Sequence, residues 1–185
     1  AEEQRVDAVG DVDARDERLA HALVVEGRLA RVQLDAVHGA GAGRVLVCAH
    51  YDTKVDTPGA WDNASGTAAL MALAGSLPGA AYPLGVELVA FGDEESLGLD
   101  LTAYMPRCGD GLGDVLAAIN LDGIGHRLAA TSIMITAHSA PFEALVQDVV
   151  RRHPGVAWVE PWVESDHTLF AWHGVPALAI SSTPW

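Results

Sequence analysis

The chain has 185 residues, the size of one domain, and 50% hydrophobic against 19% charged residues is globular composition rather than that of a disordered chain. Eleven Lys and Arg face 25 Asp and Glu, a formal net charge of −14, which argues against nucleic acid as a partner because phosphate backbones are repelled. Two cysteines exclude a disulfide framework, no apolar run is long enough for a membrane span, and the charged start Ala1-Glu2-Glu3-Gln4-Arg5 does not read as a signal peptide.

In chain order, residues 13–26 suggest a short exposed helix. Residues 28–37 alternate apolar and polar, as in a half-buried strand, and Gly39 to Gly43 form a turn. Val45-Leu46-Val47-Cys48-Ala49 is a continuous apolar run, as expected of a strand covered on both faces, with Cys48 as a small core residue. The segment 64–74 is small and apolar all round, suiting a helix laid against a sheet. Buried strands are expected over 84–91, 115–121, 131–136 and 176–180. Phe142, Leu145, Val146, Val149 and Val150 mark one face of a helix over 140–153. Cys108 reads as a loop thiol. No repeat or low-complexity linker interrupts the pattern, so residues 1–185 are expected to form a single α/β domain with a largely parallel or mixed sheet.

In such sheets, ligand chemistry gathers at the carboxyl ends of the strands. The polar residues obey that rule. His50-Tyr51-Asp52 follow the first apolar run, Asp93-Glu94-Glu95 follow the second, and Asn120-Leu121-Asp122 close the third. Asp62 lies in the loop entering the small-residue helix, and Ser165-Asp166-His167 precede the last strand. Each group has an ordinary reading: a hydrogen-bonded pair, a solvated acidic pair, a helix N-cap at Asp62-Asn63, a turn at Asp122-Gly123, a structural bond within Asp166-His167. Taken together, two imidazoles and several carboxylates at one sheet edge need cations. That donor set suits zinc, with cobalt or manganese as substitutes.

By residue type, His50, Asp62, Glu95, Asp122 and His167 are candidate metal ligands, and Asp52 is placed to orient His50. Five ligands exceed one open catalytic zinc but suit two ions that share a carboxylate. Glu94 is then left beside the metals as a general base. The other histidines (His21, His38, His126, His138, His153 and His173) receive no role. Trp158, Trp162 and Trp172 flank His167; core packing is expected for at least two of them, with an apolar substrate pocket as the other use.

The order His50-x-Asp52, Asp62 in GAWDNASG, Glu94-Glu95 in FGDEESLGL, Asp122 in NLDGIG and His167 in SDHTLF resembles the zinc-dependent aminopeptidase family with co-catalytic metals. That family includes bacterial leucyl aminopeptidases, glutamate carboxypeptidase relatives and, more distantly, glutaminyl cyclases. The resemblance covers about residues 28–181. It implies a three-layer α/β/α sandwich around a mixed, largely parallel sheet, and two zinc ions per chain. His50 and Asp122 would hold one ion, Glu95 and His167 the other, and Asp62 would bridge them. Glu94 would be the base, Asp52 the orienter of His50, and Asp62–Asn63 a cis peptide. The implied reaction is hydrolysis of the N-terminal bond of peptides with a free amino terminus.

Trp61 departs from the family's smaller or polar residue and is expected to narrow access to the metals. The poor N-terminal match and the stop at Trp185 lead to an expectation of truncation at one or both ends. The related metal-dependent amidohydrolases and deacylases fit less well, because they carry a longer gap between the His-x-Asp pair and the bridging acid, and an inserted domain. Two other functions stay open: glutaminyl-peptide cyclisation, and a peptidase-like domain that binds metal without catalysis. The compartment, secreted or cytoplasmic, and the oligomeric state are not fixed by these residues.

Overall fold

The computed structural model describes residues 30–34, 43–77, 83–96, 104 and 112–183. The helix expected over 13–26, most of the Gly39–Gly43 turn and Cys108 lie outside the described residues.

Seven strands form one sheet: β1 (Ala30–Leu34), β2 (Arg44–His50), β3 (Gly85–Phe91), β4 (Val115–Leu121), β5 (Ala130–Ala137), β6 (Val156–Trp158) and β7 (Ala177–Thr183). Their spatial order is β1-β3-β2-β4-β7-β5-β6. The pairings β2–β3, β2–β4, β4–β7 and β5–β6 are parallel, while β1–β3 and β5–β7 are antiparallel. The sheet is thus mixed and largely parallel, as the apolar runs imply.

Alternation along each strand sends successive side chains to opposite faces. On one face Leu46, Cys48, Val89, Phe91 and Ala118 pack with Tyr104, Val175 and Phe170 of α3 (His167–Trp172). Phe91, Tyr104 and Phe170 form an aromatic triangle with centroids 5.7, 6.4 and 6.1 Å apart. On the other face Val47, Ala49 and Leu88 pack with Leu70 and Leu77, the first within α1 (Ala64–Ser76) and the second just past its end. Ile119 joins that layer to Ile133, Leu178 and Val146 of α2 (Ala140–Arg151). Helices therefore cover both faces in an α/β/α sandwich.

Asn63 caps α1 by accepting the Gly66 N–H at 2.9 Å. Gly66 is required there: a Cβ would lie 2.2 Å from the Leu121 carbonyl oxygen, so its absence lets the helix approach β4. At α2, Pro141 sits in the first turn with Glu143, and Arg151 in the last, both charges matching the helix dipole.

The structure departs from the sequence expectations in three places. β6 and α3 were not expected; with three and six residues they are too short to show periodicity. β7 runs on to Thr183 because Ser181, Ser182 and Thr183 pair with Ser132, Thr131 and Ala130. Core packing for two of the three tryptophans is corrected: Trp158 and Trp172 are 46% and 79% exposed, on an edge strand and at the outer end of a short helix.

Candidate metal centre

Parallel strands β2, β3, β4 and β7 point the same way, so the residues after them share one sheet edge. β2 leads through α1 to β3 on one side, whereas β4 leads to β5 on the other. The crevice between β2 and β4 is therefore the topological switch point, where α/β sheets bind ligands.

His50 ends β2 and is fully buried. Its Nε2 lies 3.2 Å from Asp62 Oδ1, 3.3 Å from Asp122 Oδ1 and 4.0 Å from Glu94 Oε2. Nδ1 faces Asp52, 3.3 Å from its Oδ1 and 3.2 Å from its carbonyl oxygen. Asp52 also accepts the backbone N–H groups of Glu94 (3.3 Å) and Glu95 (3.0 Å), so one carboxylate orients the imidazole and pins the 93–95 turn beside it. Ligand atoms of His50, Glu94 and Asp122 lie within 4.8 Å of one another, a spacing able to hold a metal ion.

Electrostatics match this crowding. Burial alone lowers the basicity of His50, but the hydrogen bond and charge of Asp122, with Glu94 and Asp166, outweigh it and push the imidazole up to about 10. Glu94 is pushed up to about 7, first by burial and then by Asp122, Glu95 and Asp62, against the pull of His50. Asp62 is raised by burial and by Asp122 and Glu95. Asp122 goes the other way: hydrogen bonds from His50 and Ser165 overcome its burial.

Glu95 and His167 are placed differently. Glu95, nearly buried, pairs with Lys54 Nζ at 3.3 Å, and the Lys54 side chain is 68% exposed. His167 opens α3, fully buried, with Nε2 3.0 Å from the Trp162 carbonyl oxygen and the Trp162 ring edge-on against it. Its Nδ1 is buried with no hydrogen-bond partner among the described residues. Burial lowers its pKa, which keeps the imidazole neutral, the form that binds metal. His50, Asp52, Asp62, Glu94 and Asp122 are thus brought together directly, while Glu95 and His167 border them with other partners.

Asp166 and Lys54 carry no expected role, and both belong to this neighbourhood. Both Asp166 carboxyl oxygens are buried without a hydrogen-bond partner among the described residues, so the ordinary reading of Asp166-His167 as a bonded pair does not apply. Burial, helped by Glu94 and Asp122, pushes that carboxyl well above the usual range. Its place beside His167 was the one available signal. Lys54, four residues after His50, gave none. The cis peptide at Asp62–Asn63 is present as the resemblance implied.

The fold is similar to that of a zinc aminopeptidase from Bacillus subtilis, with a TM-score of 0.72, 21% identity, and coverage of 83% of this chain and 39% of that one. An aminopeptidase from Aneurinibacillus sp. strain AM-1 gives 0.69, 23%, 84% and 39%. A glutaminyl cyclase from Macrostomum lignano gives 0.62, 20%, 85% and 61%. The chain spans about two fifths of the length of the two aminopeptidases. No curated protein matches it in sequence. The model of peptidase family M28 matches residues 32–185, covering every strand from β2 onward together with the whole site, and the chain belongs to that family.

Proposed function

We propose that residues 1–185 form one catalytic domain of a di-zinc aminopeptidase that removes the N-terminal residue of peptides. The observation that carries this reading is the gathering of one imidazole and three carboxylates around His50 Nε2 at the switch point. So many acids around a buried base leave negative charge that a divalent cation neutralises, and a nitrogen–oxygen donor set fits zinc.

His50 and Asp122 would hold the first ion, with Asp62 shared toward the second position. Glu95 and His167 would complete that second position. Two features support it: Glu95 is close enough to Asp62 to raise its pKa, and His167 keeps a buried nitrogen unpartnered. Occupation requires Lys54 to withdraw from Glu95, and its exposure leaves it free to do so. When bound, zinc supplies Lewis acidity that lowers the pKa of water from 15.7 toward about 7 and polarises a carbonyl.

This chain's residues supply the rest. Glu94, poised near neutrality and held by Asp52 through its backbone, takes a proton from water and returns it to the departing amine. Asp52 fixes the ring orientation of His50. The acidic site favours a cationic α-ammonium, which selects exopeptidase cleavage. Metal analysis of the full chain, with a panel of chromogenic aminoacyl amides, tests the reading. Two zinc ions per chain and chelator-sensitive release of a favoured amide are expected; a metal-free, inactive protein refutes it.

A second reading is cyclisation of N-terminal glutamine. The compact His50, Glu94 and Asp122 group suits a single ion, and the buried acid Asp166 lies near it. Product analysis on a glutaminyl peptide separates the two: pyroglutamyl peptide for the cyclase, free glutamine for the peptidase.

A further inference from the structure

Asp62 and Asp122 lie on loops that leave adjacent strands in opposite directions, yet both place an oxygen within 3.3 Å of His50 Nε2. The charge of His50 draws both carboxylates inward, but it does not by itself fix how far apart the two loops stand; that takes bonds between the loops.

The neighbours of each aspartate supply them. Trp61 Nε1 donates to the Gly123 carbonyl oxygen at 2.5 Å. The Gly123 N–H donates to Asn63 Oδ1 at 3.2 Å, and Asn63 Nδ2 donates to the Leu121 carbonyl oxygen at 2.8 Å. The residues on both sides of Asp62 are therefore bonded to the residues on both sides of Asp122. Asn63 is buried, where such bonds are protected from water. Gly123 has φ +60°, and a Cβ there would meet the Trp61 ring at 3.2 Å, so the indole closes over a position that favours glycine. Thr53 Oγ1 donates to the Asp62 carbonyl oxygen at 3.0 Å and steadies the loop from outside.

We propose that Trp61 and Asn63 are positioning residues, a clasp across the switch-point crevice that sets the separation of Asp62 and Asp122 and so preorganises the metal site. The proposal rests on the metal-site reading above and deepens it. The clasp assigns Trp61 a role in holding the site together.

The test uses the full chain with Trp61→Phe, which keeps a ring and removes the donor. Asn63→Ser is the second variant; it keeps a helix-capping oxygen but is too short to reach β4. Zinc affinity is measured by chelator competition, the site geometry by visible absorption of the Co(II)-loaded protein, and integrity by the Tm of the metal-free form. Affinity is expected to fall about 10-fold or more with a changed Co(II) spectrum. The Tm of metal-free Trp61→Phe stays close to wild type, because the ring is kept and only one part-buried hydrogen bond is lost. Wild-type affinity and spectrum in either folded variant overturn the clasp while leaving the metal reading intact. Failure of the wild-type chain to bind zinc overturns both.

Discussion

Replacing Glu94 by Gln separates the two parts this side chain can play. Its Oε2 stands 4.0 Å from His50 Nε2, within the group whose spacing admits a metal, yet the proposed mechanism uses it as the base. Glutamine keeps the shape, and the backbone bonds from Glu94 and Glu95 to Asp52 are untouched. What is lost is a proton acceptor that burial and neighbouring acids have pushed up to about 7, close to the working pH at which a base is most effective. A well-matched base contributes about 10²–10⁴-fold, and this match places the loss toward the upper end, about 4–5 kcal/mol at 1.36 kcal/mol per tenfold. The assay pairs kcat on the favoured aminoacyl amide with zinc content on the same preparation. The acid limb of wild-type kcat/KM, at or below about pH 7 because bound cations pull the carboxyl down, disappears in the variant. Near-normal turnover refutes the role of base. Loss of an equivalent of zinc with the activity refutes it differently, by making Glu94 a ligand.

Asp52→Asn removes the charge facing His50 and leaves one acceptor oxygen where two now serve the imidazole and the 93–95 turn, so zinc affinity is expected to fall about 10–100-fold in a chelator competition. The metal-free protein should lose stability as pH rises. Glu94, raised to about 7, favours the folded state fully below its unfolded value near 4.5 and loses that contribution up to about 7; His50, raised to about 10, does so from about 6.5 to 10. Thermal melts in chelator across pH 5–10 check this, and saturating zinc should flatten the slope because the ions replace the protons. Phe170→Ala removes one corner of the Phe91, Tyr104 and Phe170 triangle, costing about 3–5 kcal/mol in urea denaturation with zinc stoichiometry retained in the folded fraction.

The sheet was legible because its strands are buried on both faces. Val45–Ala49 divides its side chains between two cores, so both parities must be apolar, and the run ends where His50 begins the site. The same logic located Asp122 and the Glu94-Glu95 pair: at a strand end the apolar requirement stops and polar chemistry is allowed. Asp62-Asn63 shows why competing readings of one motif need not exclude each other. Asn63 is the helix cap, and by capping it leaves Asp62 at the last loop position, facing His50. Trp158 and Trp172 are exposed despite their size, because side-chain size alone does not say which way a residue at an edge will point.

The remaining parts of the site depend on groups that meet only after folding. Lys54 is sequence-close to His50 but pairs with Glu95, a contact set by how the loop after β2 lies over the turn after β3. Trp61 and Gly123 are 62 positions apart and bond through a backbone carbonyl, which no choice of side chain advertises. Asp166 is an acid buried without a hydrogen-bond partner among the described residues, and burial of that kind runs against composition-based expectation. All three lie within the neighbourhood of Asp62, Glu95 and Asp122. Sequence periodicity identifies which residues reach the sheet edge; the spacing between their charged atoms, on which the proposed metal affinity rests, depends on cross-loop contacts such as that of Trp61 with Gly123. Ligand identity and ligand spacing are therefore separable. Trp61→Phe leaves every candidate ligand in place, and a loss of zinc affinity in that variant can come only from the arrangement of the ligands it leaves behind.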